Sequence, residues 1–285
     1  MKALIVGSQG QVGRALLASA PEGVTPIGLD LPELDVSDRE AVRSALADVR
    51  PQILLNMAAY TAVDRAESEE ADAHRVNAAA VKILAEEAHQ AGAQLVHVST
   101  DFVFDGSSGR PYLPEDRPRP LSAYGRTKLE GERLAGEDAL IVRTAWVYGP
   151  VGNNFVRTML RLFSTQEEVR IVADQVGTPT YAPSLARALW ALALRGERGI
   201  HHFTDSGVAS WYDFAVAIQE EASLLGLLER RVPVVPISTA DFPTPATRPA
   251  YSVLDKRATY AALGKPAPHW RVNLREMLKE IQSHG

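Results

Sequence analysis

Short apolar segments alternate with longer amphipathic segments through the first half of the chain, and this alternation restricts the fold more than any other feature. The apolar runs predict strands at residues 3–6, 27–30, 53–56, 95–99 and 140–147. The amphipathic runs predict helices at residues 12–20, 37–49, 64–91 and 124–136, with Ser37 as the N-cap of the second. Strands and helices in alternation form βαβ units. The sequence therefore predicts an α/β fold, a Rossmann-type doubly wound parallel sheet with helices on both faces.

A glycine triplet lies between the first predicted strand and the first predicted helix. Gly7 permits a tight turn, Gly10 lets a pyrophosphate approach the backbone, and Gly13 lets the helix pack close to the sheet. The N-terminus of the helix then offers free N–H groups to phosphates. Asp30 ends the second strand, where a carboxylate accepts hydrogen bonds from an adenosine ribose. These residues predict a dinucleotide site, and a glycine-rich turn beside a solvated aspartate is the alternative.

The alternation loosens after residue 149. Helices are predicted at residues 155–163, 183–195, 210–225 and 273–283, and strands at 169–172 and 200–204. Residues 231–251 carry repeated prolines and are expected to be extended and loop-like. We therefore predict a dinucleotide-binding domain over residues 1–150, to which later segments return. A smaller C-terminal lobe over residues 151–285, mainly substrate-binding, would share an interleaved boundary with it.

The composition excludes several classes of protein. The chain has 285 residues, with 30 Lys and Arg against 35 Asp and Glu, and a formal charge of −5. We expect no nucleic-acid partner and no membrane partner, because both kinds of anionic surface need clustered positive charge. The absence of Cys excludes a disulfide scaffold and a Cys-ligated metal centre. No apolar run reaches the roughly 18 residues of a membrane span, and no signal-peptide pattern is present, so we expect a cytoplasmic protein.

Tyr124 and Lys128 are four residues apart on a predicted helix and therefore share one face. A nearby ammonium can bring the phenol pKa from about 10 toward neutrality, so such a pair can pass a proton to a carbonyl oxygen. Ser99 and Thr100 end the fourth predicted strand, at the edge where open parallel sheets bind ligands. A hydroxyl there can hydrogen-bond the reacting oxygen. An incidental helix pair and a simple capping role are the alternatives.

Together these motifs resemble the extended short-chain dehydrogenase/reductase superfamily, and within it the dTDP-4-dehydrorhamnose reductase family. The closer resemblance is carried by Ser-Thr-Asp-Phe-Val-Phe-Asp-Gly at residues 99–106 and Arg-Thr-Ala-Trp-Val-Tyr-Gly at residues 143–149. Further matching segments lie at residues 56–64, 152–155, 174–180 and 248–255. The resemblance implies reduction of the C4 carbonyl of dTDP-4-dehydro-β-L-rhamnose to dTDP-β-L-rhamnose, in dTDP-rhamnose biosynthesis, with NADPH or NADH as cofactor.

The resemblance also implies roles for individual residues. Thr100, Tyr124 and Lys128 match the catalytic trio, and the last two also contact the cofactor. Asp101 and Trp146 match positions that contact substrate, as does Thr100, although core packing is the alternative for Trp146. The positions matching cofactor contacts are Gln11, Val12, Asp30, Asp35, Val36, Ala58, Ala59 and Thr61. Separately, Arg248 in the proline-rich segment could bind a diphosphate, since its planar fork suits phosphate, or could be a surface arginine.

Three positions bear on function within the family. Ala15 stands where some members carry a metal-binding Glu at a dimer contact, so no metal is predicted, and a monomer or a homodimer remains open. Phe102 follows Asp101 where related dehydratases carry a Glu, which favours reduction over dehydration. Asp30 disfavours a 2′-phosphate by like charge and so favours NADH. Another nucleotide-sugar reductase or epimerase remains an alternative, as does a non-catalytic, dinucleotide-binding regulatory subunit of methionine adenosyltransferase.

Overall fold

The computed structural model describes residues 1–284. Its strands are β1 (Lys2–Val6), β2 (Thr25–Leu29), β3 (Ile53–Asn56), β4 (Gln94–Thr100), β5 (Leu140–Thr144), β6 (Val147–Tyr148), β7 (Val169–Val172), β8 (Val176–Gly177), β9 (Thr180–Tyr181), β10 (Gly199–His202), β11 (Ala209–Ser210) and β12 (Val234–Ile237). Its α-helices are α1 (Gln11–Ala18), α2 (Arg39–Val49), α3 (Glu70–His74), α4 (Ala80–Gln90), α5 (Ala123–Ala135), α6 (Phe155–Thr165), α7 (Ala182–Leu194), α8 (Trp211–Leu224), α9 (Arg257–Leu263) and α10 (Trp270–His284).

Six strands form one parallel sheet in the order β2-β1-β3-β4-β5-β10. Alternate residues of β1 enter different cores: Ala3 and Ile5 pack with α1 and α7, whereas Leu4 and Val6 pack with α2 and α4. Both faces of the sheet are therefore covered, which explains why its strands read as continuous apolar runs rather than alternating ones. The predicted doubly wound α/β fold is confirmed.

A second core lies outside this sheet. It is built from α6, α8 and α10, with Val169 and Ile171 of β7 and the aromatic rings of Tyr148, Phe163 and Phe214. The chain then returns to the sheet, since β10 pairs with β5. The smaller C-terminal region is thus present, while the predicted domain limits at residue 150 stay a prediction. Within residues 1–284, no helix combines the length and the apolarity needed to cross a bilayer.

Several predicted element limits are wrong, each for a local reason. Asp38, not Ser37, caps α2, because its carboxylate accepts hydrogen bonds from the backbone N–H groups of Glu40 and Ala41. The helix predicted over residues 64–91 is divided into a 3₁₀ turn (Arg65–Glu67), α3, a π-helical turn (Arg75–Ala79) and α4.

The fifth sheet strand and the later part of the chain also differ from the prediction. β5 stops at Thr144, because Trp146 adopts a left-handed backbone with φ of +49°. A short strand, β6, follows this turn. No helix is predicted over the residues that form α9, and the proline-rich segment, expected to be loop-like, contains β12, which pairs in parallel with β7.

Candidate active site

The glycine triplet shapes the turn between β1 and α1. At Gly7, where φ is +72°, an added Cβ would lie 2.4 Å from the Ala58 nitrogen, and at Gly13 it would lie 2.3 Å from the Gly7 carbonyl oxygen. At Gly10 the nearest protein atom would be 3.4 Å away, so packing within the protein does not demand glycine there. Gly10 caps α1 without a side-chain hydrogen bond. The residues present therefore fit a phosphate group held on backbone N–H groups.

Asp30 and Gln11 tie this turn to its surroundings. The Asp30 carboxylate accepts hydrogen bonds from the backbone N–H of Gln9 at 2.7 Å and from that of Leu31 at 2.9 Å. The Gln11 side chain accepts one from the Asn154 amide at 3.0 Å, which links the loop to the N-terminus of α6. Val12 is half-buried against the core on the α1 side of the sheet. The loop is therefore held from β2 on one side and from α6 on the other.

The remaining predicted cofactor positions lie in the loops that follow β2 and β3. The Asp35 carboxylate accepts hydrogen bonds from the backbone N–H and the hydroxyl of Ser37, which lower its pKa, and Val36 is buried. Ala58 and Ala59 are half-buried and Thr61 is exposed. Because β1 and β3 are neighbours whose crossovers run in opposite directions, the loop after β3 borders the sheet's switch point, where ligands bind in such folds. The loop after β2 lies one strand further out, at the edge of the sheet.

Thr100 and Tyr124 are brought together by the close approach of α5 to the end of β4. Ser122 caps α5, and a Cβ on Gly125 would lie 2.3 Å from the Phe102 carbonyl oxygen, so glycine is required there. Desolvation raises the pKa of Tyr124 to about 12; the nearby Asp101 charge adds to the rise, and a hydrogen bond with Thr100 opposes it. The phenol is therefore neutral at physiological pH.

Lys128 lies one turn further along α5, where it is buried. Its ammonium donates to the Val98 carbonyl at 2.7 Å and lies 3.4 Å from His97 Nε2. Desolvation lowers the pKa of Lys128 to about 8, although the charge of Glu132 opposes the shift. The expected lowering of the tyrosine pKa by this lysine is not seen in the protein alone, because burial dominates both groups and Lys128 is bonded to β4.

Ser99 has a different role from its neighbour. Its hydroxyl donates to Glu132 Oε1 at 2.5 Å, and Arg143 holds the same carboxylate with two hydrogen bonds of 2.9 and 2.7 Å. All three side chains are buried. This buried ion pair locks β4 and β5 to α5 beneath the site, and only Thr100 of the strand-end pair stays beside Tyr124. The sequence does not predict the roles of Glu132, Arg143 and His97 at the site. Their contacts join distant segments, and no local pattern in the sequence shows which buried polar groups are paired.

Asp101 and Trp146, the predicted substrate contacts, occupy different settings. Asp101 is buried, and within residues 1–284 its Oδ2 accepts no well-formed hydrogen bond. Burial raises the pKa of Asp101 to about 6, against the opposing hydroxyls of Ser252 and Thr100. Trp146 is half-buried and stacks on Trp211, with ring centroids 3.5 Å apart and an interplanar angle of 6°. An indole in this setting can still present an edge to a ligand.

Arg248, the predicted diphosphate contact, forms a bidentate ion pair with Asp64. Its Nη1 and Nη2 atoms lie 3.1 and 2.8 Å from the two carboxylate oxygens, and Nη1 also contacts Thr244. The pairing lowers the pKa of Asp64. Diphosphate binding by Arg248 stays a prediction.

A metal site was not expected in this chain. Within the described part of the chain, no three His, Asp or Glu side chains are grouped so as to hold a metal ion. Ala15 is half-buried and packs against the core between α1 and the sheet.

Comparison with known proteins identifies the family. A family model described as "RmlD substrate binding domain" matches residues 1–283. The chain is 41% identical to a dTDP-4-dehydrorhamnose reductase of Aggregatibacter actinomycetemcomitans, over 99% of this chain and 98% of that protein. It is 44% identical to a probable dTDP-4,6-dihydroxy-2-methyloxan-3-one 4-ketoreductase of Streptomyces antibioticus, over 99% of this chain and 96% of that protein.

The fold of this chain is also similar to that of a solved reductase structure. The dTDP-4-dehydrorhamnose reductase of Bacillus anthracis, solved in complex with NADP, is 34% identical, with a TM-score of 0.92 over 98% of this chain and 99% of that one. The chain belongs to the dTDP-4-dehydrorhamnose reductase family of NAD(P)H-dependent oxidoreductases.

Proposed function

We propose that this protein reduces the C4 carbonyl of dTDP-4-dehydro-β-L-rhamnose to the alcohol, giving dTDP-β-L-rhamnose, with NADPH or NADH as the hydride donor. The observation that carries the proposal is the position of a neutral Tyr124 phenol beside Thr100, at the carboxyl edge of a sheet that also bears the open glycine turn. Family membership supplies the class of substrate.

The reaction adds one hydride and one proton to the ketone. A nicotinamide dinucleotide, held by the glycine turn, would supply the hydride that C4 receives. Tyr124 donates its phenolic proton to the carbonyl oxygen, and its pKa of about 12 ensures that the proton is present at neutral pH. The Thr100 hydroxyl orients that oxygen. With the dinucleotide bound, the charged form of Lys128 is expected to stabilise the phenolate left on Tyr124, which then regains a proton from solvent.

The residues of the glycine turn fit a dinucleotide. Gly10 leaves the space that a pyrophosphate needs, and the uncapped start of α1 supplies backbone N–H donors. Asp30 opposes a 2′-phosphate through like charge, whereas the Bacillus anthracis relative was solved with NADP. We therefore propose that this chain accepts both cofactors, with a preference for NADH.

Phe102 supports reduction rather than water elimination. Its ring packs edge-to-face on Tyr124, with centroids 5.7 Å apart, at the position where a dehydratase would need a carboxylate. Elimination needs a second acid/base group to remove a proton from carbon. A phenyl ring supplies none, so carbonyl reduction is favoured.

A second candidate is reduction of another dTDP-linked ketosugar, which the 44% identical Streptomyces ketoreductase favours. The test is a panel of dTDP-, UDP- and GDP-4-ketosugars with NADPH or NADH, with the products assigned by NMR. Preferred turnover of dTDP-4-dehydrorhamnose supports the proposal, and preferred turnover of another ketosugar replaces it. Tight dinucleotide binding without any turnover would favour the regulatory-subunit alternative. A cytoplasmic location and a monomeric or homodimeric state remain predictions.

A further inference from the structure

A strap, defined as residues 244–255, carries the chain from the second core across the edge of the large sheet. Its second half is held by backbone hydrogen bonds on both sides. The Tyr112 N–H donates to the Val253 carbonyl at 2.8 Å, while the Val176 N–H donates to the Ala250 carbonyl at 2.8 Å. The Ser252 N–H returns a bond to Val176 at 2.8 Å. This half is therefore built into the fold on its own.

The first half of the strap is held differently. Pro245 and Pro249 have no N–H to donate to a neighbouring strand. Instead, its contacts are made to Asp64. The Asp64 carboxylate accepts hydrogen bonds from both terminal nitrogens of Arg248 and, at 3.2 Å, from the backbone N–H of Ala246. Asp64 and Arg248 are separated by 184 residues in the sequence. Ala246 and Pro249 are buried, and Asp64 supplies the polar link between this half of the strap and the loop that follows β3.

Both segments that the Asp64–Arg248 pair joins, the loop after β3 and the strap, lie beside the proposed active site. Asp64 ends the loop that carries Ala58, Ala59 and Thr61, the predicted cofactor contacts. The strap continues to Ser252, whose hydroxyl interacts with the buried Asp101 carboxylate. Pro249, in the first half of the strap, packs on Gly106 in the turn that follows Asp101, where an added Cβ would lie 2.8 Å from the Pro249 Cα. A first half released from Asp64 would therefore disturb both the loop after β3 and the turn after Asp101, while Ser252 stays in place.

We propose that the Asp64–Arg248 ion pair fastens the strap to the loop after β3 and so sets substrate affinity, with both residues acting as positioning residues. In this role the Arg248 guanidinium binds the Asp64 carboxylate and does not bind the substrate diphosphate. The part of this inference that concerns affinity rests on the proposed reduction of a dTDP-ketosugar. The part that concerns the strap rests on the contacts alone.

The test compares Asp64→Ala, Arg248→Ala and the reciprocal double variant Asp64→Arg with Arg248→Asp. In each single variant the KM for the ketosugar is expected to rise about threefold to fivefold, which is the effect of losing one partly exposed ion pair, while kcat changes by less than about twofold. Glu167→Ala is the matched control. It removes a carboxylate that accepts two hydrogen bonds from Arg230, away from the strap. It is expected to leave KM unchanged.

The double variant separates fastening from direct binding. Restoration of KM toward the native value supports fastening, because the pair re-forms with its charges exchanged. A double variant as impaired as Arg248→Ala overturns it, because an aspartate at position 248 would repel a diphosphate that the native arginine binds.

Hydrogen exchange tests the strap without any substrate. The peptide that contains Ala246 is expected to exchange faster in Asp64→Ala than in the native protein, while the peptide that contains Val253 is unchanged. Equal exchange at Ala246 in both proteins overturns the proposal. Native protein that fails to turn over the ketosugar refutes the proposed function instead, and leaves the exchange result to decide the fastening.

Discussion

Lys128 is predicted to destabilise the fold at neutral pH, and Lys128→Met tests this. The side chain is 2% exposed, and its pKa falls from 10.5 to about 8. Burial thus disfavours the charged form of Lys128, although the proposed reaction needs that form. Methionine keeps an unbranched apolar chain as far as Cε and removes the ammonium.

The size of the effect follows from the pKa. At pH 7 the buried ammonium costs about 3 kcal/mol, and at pH 9.5 about 1.4 kcal/mol, at about 1.36 kcal/mol per pKa unit. Removing the donor of the Val98 carbonyl costs the variant about 1–3 kcal/mol at both pH values. The variant is therefore expected to be at least as stable as the native protein at pH 7. Its stability relative to native should fall by about 2 kcal/mol by pH 9.5.

The sign follows from proton binding. Below pH 8 both the folded and the unfolded chain hold the proton, and the cost is fully present. Between pH 8 and 10.5 the unfolded chain holds a proton that the folded chain has lost, so native stability rises with pH relative to the variant.

Urea unfolding of both proteins at pH 7 and 9.5 measures this difference. Lys82→Met, which removes an exposed ammonium from α4, is the control and should show the same difference from native at both pH values. A Lys128→Met difference that does not change with pH would refute the argument that burial lowers the pKa of this lysine.

Three further predictions concern the cofactor turn and the indole stack. Gly10→Ala should fold normally and weaken dinucleotide binding, whereas Gly13→Ala should destabilise the fold by about 2 kcal/mol or more, as thermal melts and dinucleotide titration would show. Asp30→Ala should raise the ratio of kcat/KM with NADPH to that with NADH by about fivefold to tenfold, because it removes a like charge; an unchanged ratio would count against this role. Trp211→Leu should remove the exciton band of the stacked indoles from the circular dichroism spectrum and raise KM several-fold, because Trp146 loses its support; a spectrum equal to native would contradict the stacking.

The parts of the site that the sequence predicted depend on short-range patterns. The glycine triplet is identifiable because its function needs fixed spacing between one strand and one helix. Tyr124 and Lys128 share a helix face at a spacing of four, and Thr100 ends an apolar run. Each signal lies within a few residues, where the periods of helix and strand determine which side chains are neighbours.

The parts that the sequence did not predict depend on contacts between distant segments. Arg248 meets Asp64 from 184 residues away, and the buried Glu132 carboxylate joins β4 and β5 through Ser99 and Arg143. The place of the Trp146 indole also depends on a distant residue, since it occupies the space that a side chain on Gly177 would need. A single sequence carries no local mark of such pairings.

The measurement that tests the central claim most directly is cofactor oxidation with dTDP-4-dehydrorhamnose, for the native protein and for Tyr124→Phe. With NADH and with NADPH, the native protein should convert the ketosugar to the alcohol. The variant should bind the dinucleotide as before and lose about a hundredfold or more in kcat, since the proton donor is gone. Native turnover that the phenylalanine variant retains would contradict the assignment of Tyr124 as the acid.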